Sequence, residues 1–358
     1  MRPLHNSEHG GNIARAAKKY GLCERDILDF SASINPLGPS PGVYEAIAGE
    51  LWRIRHYPDP DCGELPTLLA GHLGVARENL LLGNGGAELI YALPRALNIK
   101  RALVAAPTFS EYAGAVKAAG GSVSYTGYRH NPGELAGQLP GYDAVFICNP
   151  NNPTGRAFSR DSLMPVIEAA QRSGASVIVD EAFIDFVADR QEKSLMKMAG
   201  GTTGLVILYS MTKFFGIPGL RLGAAVASQQ TIGLLKKSRD PWSVNALAIA
   251  AGEAALRDVK HMSDTLEAVQ GERSYLFSAI SSITGLKPYP SEANFLLVDI
   301  TGTRLTTEEL VERMGMRGIM VRNCSNFEGL EAPCIRVAVR LREENERLVR
   351  ALGEVVSG

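Results

Sequence analysis

The alternation of apolar and polar residues divides the chain into a long α/β region and a shorter tail. Between residues 80 and 226, short apolar runs alternate with segments of helical periodicity, a pattern typical of a mostly parallel sheet with helices on its faces. Two helices are predicted there, Ser110–Ala119 and Ser159–Ser173, and Gly174 is expected to end the second. The runs that predict strands are Ala102–Ala106, Ser122–Thr126, Ala144–Cys148, Ser176–Asp180, Val206–Tyr209 and Leu222–Ala227.

The tail predicts a second, smaller unit of α+β type. Helical periodicity extends over residues 244–283, and two further helices are expected between the strands that follow. Those strands are predicted at Leu286–Tyr289, Asn294–Val298, Met320–Arg322 and Ile335–Val339. We expect the tail to pair with the N-terminal arm, which gives a large domain over residues 36–270 and a small domain built from residues 1–35 and 271–358.

Length, charge and cysteine content narrow the class of protein. A chain of 358 residues favours two domains. The 37 Lys and Arg residues balance 38 Asp and Glu residues, and this argues against a nucleic-acid or anionic-membrane surface, which needs a positive excess. The five cysteines form no C-x-x-C pair and no metal-ligand spacing, and no apolar stretch near the start suits a signal peptide or a membrane span. We therefore expect a cytoplasmic protein without a metal, nucleic-acid or membrane partner.

Three polar residues follow predicted strands, at the edge of the sheet where α/β proteins bind ligands. Asp180 ends one strand, Lys213 follows another, and Asn152 lies in the Asn-Pro-rich segment after a third. Taken singly, they could be a helix cap, a solvated loop residue and part of a turn. Taken together, they match a cofactor with a pyridine ring and an aldehyde: the carboxylate keeps the ring nitrogen protonated, the amine forms the imine, and the amide donates to the ring oxygen. Pyridoxal phosphate meets this description.

A phosphate on such a cofactor needs backbone amides and a fixed cation. The segment GNGGAE (83–88) begins a predicted helix directly after an apolar run, so its free N–H groups would face an anion. Arg221 offers a bidentate guanidinium eight residues after the lysine, and Ser210 offers a hydroxyl. Phe109, after another predicted strand, could stack on the ring or could be an ordinary core residue.

Three motifs together resemble a known family. NPNNPTG (149–155), VDEAFIDF (179–186) and SMTKFFGIPGLRLG (210–223) occur in an order and spacing similar to those of fold-type-I pyridoxal-phosphate enzymes, in the branch of the histidinol-phosphate aminotransferases. The resemblance implies an α/β fold with a large domain around a mostly parallel, seven-stranded sheet, a small α+β domain, and a homodimer whose active site is shared between subunits. The cofactor contacts it implies, with those argued above, are Gly86, Ala87, Phe109, Asn152, Asp180, Ser210, Lys213, Arg221 and, from the neighbouring subunit, Tyr57.

Within that branch, four segments resemble the threonine-phosphate decarboxylases of cobalamin biosynthesis. They are HGGN (9–12), DFSASINPLG (29–38), PWSVN (241–245), and the pair Arg322 and Cys324 before RVAVR (336–340). The resemblance implies a phosphorylated amino-acid substrate that is decarboxylated, with transamination of histidinol phosphate as the alternative. It implies substrate contacts from His9, Gly10, Ser33, Asn35, Asn152, Arg322 and Arg336.

The sequence departs from these relatives at two positions. Ser33 stands where the decarboxylases have Asn, so its shorter side chain could reach substrate only through water. Phe183 stands three residues after Asp180, where many aminotransferases have a Tyr that donates to the ring oxygen; a plain packing role would also explain it. The first departure puts one substrate contact in question, and the second favours a reaction other than transamination.

Overall fold

A computed structural model describes residues 9–127 and 131–358. In this part of the chain the strands are β1 (Leu28–Asp29), β2 (Leu80–Asn84), β3 (Arg101–Ala106), β4 (Ser122–Gly127), β5 (Ala144–Cys148), β6 (Ser176–Asp180), β7 (Leu205–Ser210), β8 (Leu222–Ala227), β9 (Lys287–Pro288), β10 (Phe295–Asp299), β11 (Ile319–Met320), β12 (Arg322–Asn323) and β13 (Cys334–Ala338). The α-helices are α1 (Ile13–Tyr20), α2 (Pro41–Glu50), α3 (Leu65–Leu73), α4 (Gly85–Ala96), α5 (Glu111–Ala118), α6 (Arg160–Ser173), α7 (Arg190–Lys193), α8 (Met196–Ala199), α9 (Met211–Phe214), α10 (Gln229–Lys237), α11 (Ala246–Arg257), α12 (Val259–Ser281), α13 (Thr307–Gly315) and α14 (Arg342–Ser357).

The central sheet has seven strands in the order β2-β8-β7-β6-β5-β3-β4. Neighbours from β7 to β4 are parallel, whereas β8 is antiparallel to both β2 and β7. The prediction of a mostly parallel, seven-stranded sheet is therefore confirmed. Strand β5 is buried at every position and β6 at all but the first, which explains why both are continuous apolar runs without alternation.

Helices cover both faces of this sheet. One hydrophobic core packs α3, α6 and α11 against one face, and a second packs α4 and α5 against the other. Because β3, β5, β6 and β7 run in the same direction, their carboxyl ends lie along one edge of the sheet. That edge is where the residues selected from the sequence meet.

The tail forms a separate four-stranded antiparallel sheet in the order β12-β13-β10-β9, packed against α12, α13 and α14. The N-terminal arm joins it as expected: β1 pairs in parallel with β11, and the Ala338 amide donates to the Phe30 carbonyl (2.8 Å). Helix α12 continues through residue 270, so it links the two proposed domains without a break at that boundary. The domain limits stay a prediction.

In the described ranges, 9–127 and 131–358, no helix combines the length and the apolar character needed to cross a membrane. Nor do those ranges contain a group of three or more His, Cys, Asp or Glu side chains placed to hold a metal ion.

Candidate active site

A cavity of about 410 Å³ opens at the carboxyl edge of the central sheet, between that sheet and the small antiparallel sheet. Its walls come from the ends of β5, β6 and β7, the start of α4, the segment after β3, the N-terminal arm and the strands β12 and β13. The residues selected from the sequence that line it are His9, Gly10, Ser33, Gly86, Ala87, Phe109, Asn152, Asp180, Ser210, Lys213, Arg221, Arg322 and Arg336.

Lys213 projects from the short helix α9, directly after β7. Its backbone carbonyl accepts a hydrogen bond from the backbone amide of Asn35 (2.9 Å), which connects the turn to the N-terminal arm. Burial lowers the pKa of the Lys213 amine to about 8, and the positive charges of Arg336 and Arg221 act in the same direction, while Asp180 opposes them. An amine with this pKa is partly uncharged near neutral pH, as a nucleophile toward an aldehyde must be.

The low pKa of Lys213 predicts how cofactor binding depends on pH. Only the uncharged amine attacks an aldehyde, so the rate at which cofactor-free protein takes up pyridoxal phosphate should rise about tenfold per pH unit in acid and level off near pH 8. Stopped-flow absorbance between pH 6 and 10 measures it. A rate that still climbs steeply at about pH 10, the behaviour of an ordinary lysine, would contradict the assignment.

Asp180 ends β6, and its carboxylate is fixed by two donors. The Tyr112 hydroxyl donates to Oδ2 (2.6 Å), and the Ala182 amide donates to Oδ1 (3.0 Å). Burial raises the pKa of Asp180, whereas both hydrogen bonds and the charge of Lys213 favour the ionised form. The carboxylate can therefore hold a positive charge next to it in the cavity, such as a protonated pyridine nitrogen.

Asn152 and Arg336 form a buried pair across the two units. The Arg336 guanidinium donates to the Asn152 side-chain oxygen and to the Ser31 carbonyl (3.0 Å), and it lies over the Phe295 ring at 5.0 Å. The side-chain oxygen of Asn152 accepts a hydrogen bond from Arg336. The side-chain N–H groups of Asn152 therefore remain available to another acceptor. Burial lowers the pKa of Arg336 to about 10, because the charged form is less stable away from water.

The opposite end of the cavity suits a phosphate group. Helix α4 begins at Gly85 directly after β2, so the backbone amides of its first turn, at Gly86 and Ala87, are free for an anion. Gly85 has a φ of 74°, and a Cβ there would stand 2.5 Å from the Arg221 guanidinium, so only glycine permits the close approach. Ser210 lines the same cavity from the end of β7.

The residues present fit pyridoxal phosphate, and unsatisfied polar atoms support the fit. The Ser33 hydroxyl and the Arg336 Nε are buried and have no hydrogen-bond partner in the described part of the chain, although both residues line the cavity. Buried polar groups are normally paired, so such atoms mark a place that a polar ligand completes. Phe109 supplies a flat face between the two ends, 5.7 Å from the ring of Tyr112.

The N-terminal arm reaches the cavity and contacts the large unit there. The His9 ring approaches the Glu111 carboxylate (2.9 Å between Nε2 and Oε1) and the Phe109 ring (5.6 Å between centroids). Arg322 enters from β12, where its guanidinium donates to the Asn326 side chain (2.9 Å) and lies over a phenylalanine ring. A cationic side chain and an imidazole thus face the cavity from the small unit.

Two selected residues lie elsewhere. Asn35 does not line the cavity: its amide donates to the Phe214 carbonyl and the Thr265 hydroxyl (both 2.8 Å), and its oxygen accepts from the Leu37 amide. Since these bonds occupy the side chain, the expected substrate contact is corrected to a structural role beside Lys213. Tyr57 is 82% exposed and stacks on Trp242 (4.9 Å), so its contact with a neighbouring subunit stays a prediction.

Some lining residues were not selected from the sequence. Tyr112 and Glu111 lie at the start of α5, and Phe327 follows β12. Phe109 was expected at the cavity, and it lies just before α5. The first two residues of that helix, Glu111 and Tyr112, could therefore have been expected nearby. Phe327 lies in an irregular segment, where no periodicity indicates the direction of a side chain.

Comparison with known proteins agrees with this geometry. The family model "Aminotransferase class I and II" matches residues 25–352. A threonine-phosphate decarboxylase of Salmonella typhimurium is 36% identical over 99% of this chain and 98% of its own length. A histidinol-phosphate aminotransferase of Moorella thermoacetica is also 36% identical, over 97% of this chain and 90% of its own. The crystal structure of an L-threonine-O-3-phosphate decarboxylase from Porphyromonas gingivalis superposes with a TM-score of 0.83, at 27% identity over 92% of this chain and 99% of that one.

The chain therefore belongs to the class I and II aminotransferase family, whose members depend on pyridoxal phosphate. The fold is the fold-type-I arrangement that the sequence motifs implied. Similarity to decarboxylases and to aminotransferases is equally strong at this level of identity, so the choice of reaction depends on the cavity itself.

Proposed function

We propose that this protein decarboxylates L-threonine O-3-phosphate to (R)-1-amino-2-propanol O-2-phosphate, a step of cobalamin biosynthesis. The observation that carries the proposal is that two buried arginines, Arg322 and Arg336, and His9 of the N-terminal arm face the same cavity as Lys213. An amino acid with a carboxylate at one end and a phosphate at the other needs two such cationic positions. Relatives named as threonine-phosphate decarboxylases match along almost the whole chain, which supports the same substrate.

Bound pyridoxal phosphate supplies a ring that accepts the electron pair of a bond broken at the substrate α-carbon. The residues of the cavity would bind that ring and determine which substrate bond breaks. Asp180 would hold a positive charge on the bound cofactor, and Asn152 would donate a hydrogen bond to it, since both line the cavity. The amine of Lys213, which lines the same cavity, would return a proton to the substrate α-carbon.

The two arginines have different places in the proposal. The charge of Arg336 lowers the pKa of Lys213, and Arg336 donates to Asn152, so it lies beside the reacting end of the substrate. We assign it the carboxylate. Arg322 lies toward the N-terminal arm with His9, and these two are assigned the phosphate. Binding energy from the phosphate would then orient the carboxylate so that its bond to the α-carbon is the one that breaks.

Phe183 supports decarboxylation over transamination. Its side chain lines the cavity and packs edge-on against Phe295 (5.0 Å), so it offers no hydroxyl where many aminotransferases have one. The ring oxygen of a bound cofactor would then receive a hydrogen bond from Asn152 but none from a tyrosine hydroxyl. This difference would change how readily the bound cofactor holds a proton. Amino transfer with histidinol phosphate is the second candidate, supported by the relatives that carry that name.

A product assay separates the two reactions. Purified protein incubated with L-threonine phosphate should release carbon dioxide and aminopropanol phosphate in equal amounts, and threonine without its phosphate should react far more slowly because the remote binding energy is lost. Serine phosphate, run alongside, measures how far the substrate methyl group matters. Glutamate-dependent amino transfer to an imidazole phosphate, without gas release, would establish the other reaction and overturn the proposal.

The proposal includes a homodimer with a shared active site. Large apolar side chains are exposed together around α2 and the segment after it, as patches that bury against a partner usually are. They are Tyr44, Leu51, Trp52, Ile54, Tyr57 and Trp242. A second copy covering this face would bring Tyr57 toward the neighbouring cofactor. Sedimentation velocity tests the dimer, and a monomer at the concentrations where the enzyme is active would refute it.

The proposed location is the cytoplasm. All five cysteines are free thiols, and four of them are buried, as suits a protein kept in a reducing compartment. Cell fractionation with an antibody against the protein tests this location.

A further inference from the structure

We propose that Tyr112 is a positioning residue that keeps the Asp180 carboxylate ionised and aimed at the ring nitrogen of the cofactor. The inference rests on the proposed role of Asp180 and is independent of the choice between decarboxylation and transamination. Nothing in the sequence motifs selects Tyr112, which lies in α5, on a different element from Asp180.

The geometry leaves Tyr112 little freedom. Its side chain is fully buried, stacked on Phe146 (5.5 Å between centroids, 17° between planes) and met edge-on by Phe109 (5.7 Å). The hydroxyl at the end of this fixed ring donates to Asp180 Oδ2 at 2.6 Å. A hydrogen bond to a charged acceptor at this distance is of the strong kind, and a ring held on two sides delivers it at a fixed place.

A second hydrogen bond fixes the other carboxylate oxygen of Asp180. Ala182 donates its backbone amide to Oδ1, so the two carboxylate oxygens are held from different elements, α5 and the segment after β6. With both oxygens oriented, the remaining lone pairs face the cavity that Asp180 lines. Tyr112 also lines that cavity, edge-on to Phe109, the residue proposed to stack on the ring.

The charges around Asp180 show why a donor is needed. Burial raises the pKa of Asp180, and Cys148 on β5 and the neighbouring Glu181 are acidic groups close to it. Lys213, after β7, is the cation that acts on it. Once the amine of Lys213 is joined to the cofactor it is no longer a free ammonium group, and the Tyr112 hydroxyl then remains as a fixed side-chain donor that favours the ionised carboxylate.

Tyr112→Phe, with Tyr209→Phe as the matched control, tests this. Tyr209 is also a buried tyrosine whose hydroxyl donates to an aspartate; Tyr209 itself borders the cavity, but its partner Asp185 lies outside the cavity, so this hydrogen bond does not act on Asp180. Two measurements are made on each variant: the dissociation constant for pyridoxal phosphate, and the pH midpoint of the visible absorption of the bound cofactor. In Tyr112→Phe the dissociation constant should rise about tenfold, the worth of one hydrogen bond to a charged group.

The pH midpoint of absorption should move upward by about one unit in Tyr112→Phe, because a less ionised Asp180 leaves less positive charge on the ring to oppose protonation of the lysine linkage. In Tyr209→Phe both quantities should stay at wild-type values, even where the unfolding temperature falls. Equal changes in the two variants, or none in Tyr112→Phe, would overturn the proposal.

An Asp180→Asn variant distinguishes failure of this inference from failure of its premise. If the absorption midpoint is unchanged in Asp180→Asn, then Asp180 is not the partner of the ring and both assignments are wrong. If it moves in Asp180→Asn but not in Tyr112→Phe, Asp180 keeps its role and Tyr112 loses the one proposed.

Discussion

Replacing Lys213 with alanine is expected to lower turnover by about 10⁴-fold or more and to abolish the visible absorption of the bound cofactor. The reason is geometric as well as chemical. Among the residues that line the cavity in the described part of the chain, Lys213 carries the only side-chain amine. Its backbone carbonyl accepts a hydrogen bond from the backbone amide of Asn35, which fixes the turn that carries it. Steady-state kinetics and an absorption spectrum of the purified variant measure both effects.

Lys117→Ala is the control for this substitution, since Lys117 is an exposed residue near the end of α5, outside the cavity. That variant should keep the wild-type spectrum and rate. Substantial activity in Lys213→Ala, with the absorption retained, would show that another amine binds the aldehyde, and the assignments of Asp180 and Asn152 would then lose their common basis.

The positions of the catalytic candidates could be predicted because parallel strands end together. Asp180 ends β6, and Asn152 and Lys213 follow β5 and β7; these are three adjacent strands of one sheet. Strands buried on both faces give continuous apolar runs, so their ends are visible in the sequence as the first polar residues after each run. No knowledge of side-chain packing was needed to expect these three residues at one edge.

Asn35 marks the limit of that reasoning. It lies in a segment that resembles the decarboxylases, and adjacent residues such as Ser33 do line the cavity. Whether an amide two residues further along faces the ligand or the core depends on the backbone path of the arm, which has no regular period there. In the structure the amide faces Phe214 and Thr265 and secures the lysine turn.

Tyr112 shows a second limit, because its role depends on a contact between elements far apart in sequence. It reads as an ordinary core residue of α5, and its ring is indeed packed in the core. Only the position of α5 relative to β6 brings the hydroxyl to Asp180. A buried tyrosine needs a partner for its hydroxyl, so the sequence indicates that a partner exists without indicating which one.

Replacing Arg336 with alanine is expected to lower kcat/KM by about 10²- to 10³-fold. The variant loses one member of the buried charge pair that Arg336 is proposed to form with the substrate carboxylate, and such a loss typically costs about 2–5 kcal/mol. Arg336 is buried on β13, donates to Asn152 and Ser31, and lies over Phe295. Its loss should remove the proposed carboxylate contact and also release Asn152 from its orientation. Both kcat and KM should therefore change.

Arg340→Ala is a matched control, because Arg340 also lies over a phenylalanine ring, that of Phe30, and donates to a backbone carbonyl of the N-terminal arm, that of Asp29. It does not line the cavity, so kcat/KM should stay near wild type even where stability falls. Arg322→Ala should instead raise KM for threonine phosphate with a smaller change in kcat, because Arg322 is assigned the remote phosphate. If Arg322→Ala lowers kcat more than Arg336→Ala does, the two assignments are reversed, and the group beside the reacting bond enters from β12 instead of β13.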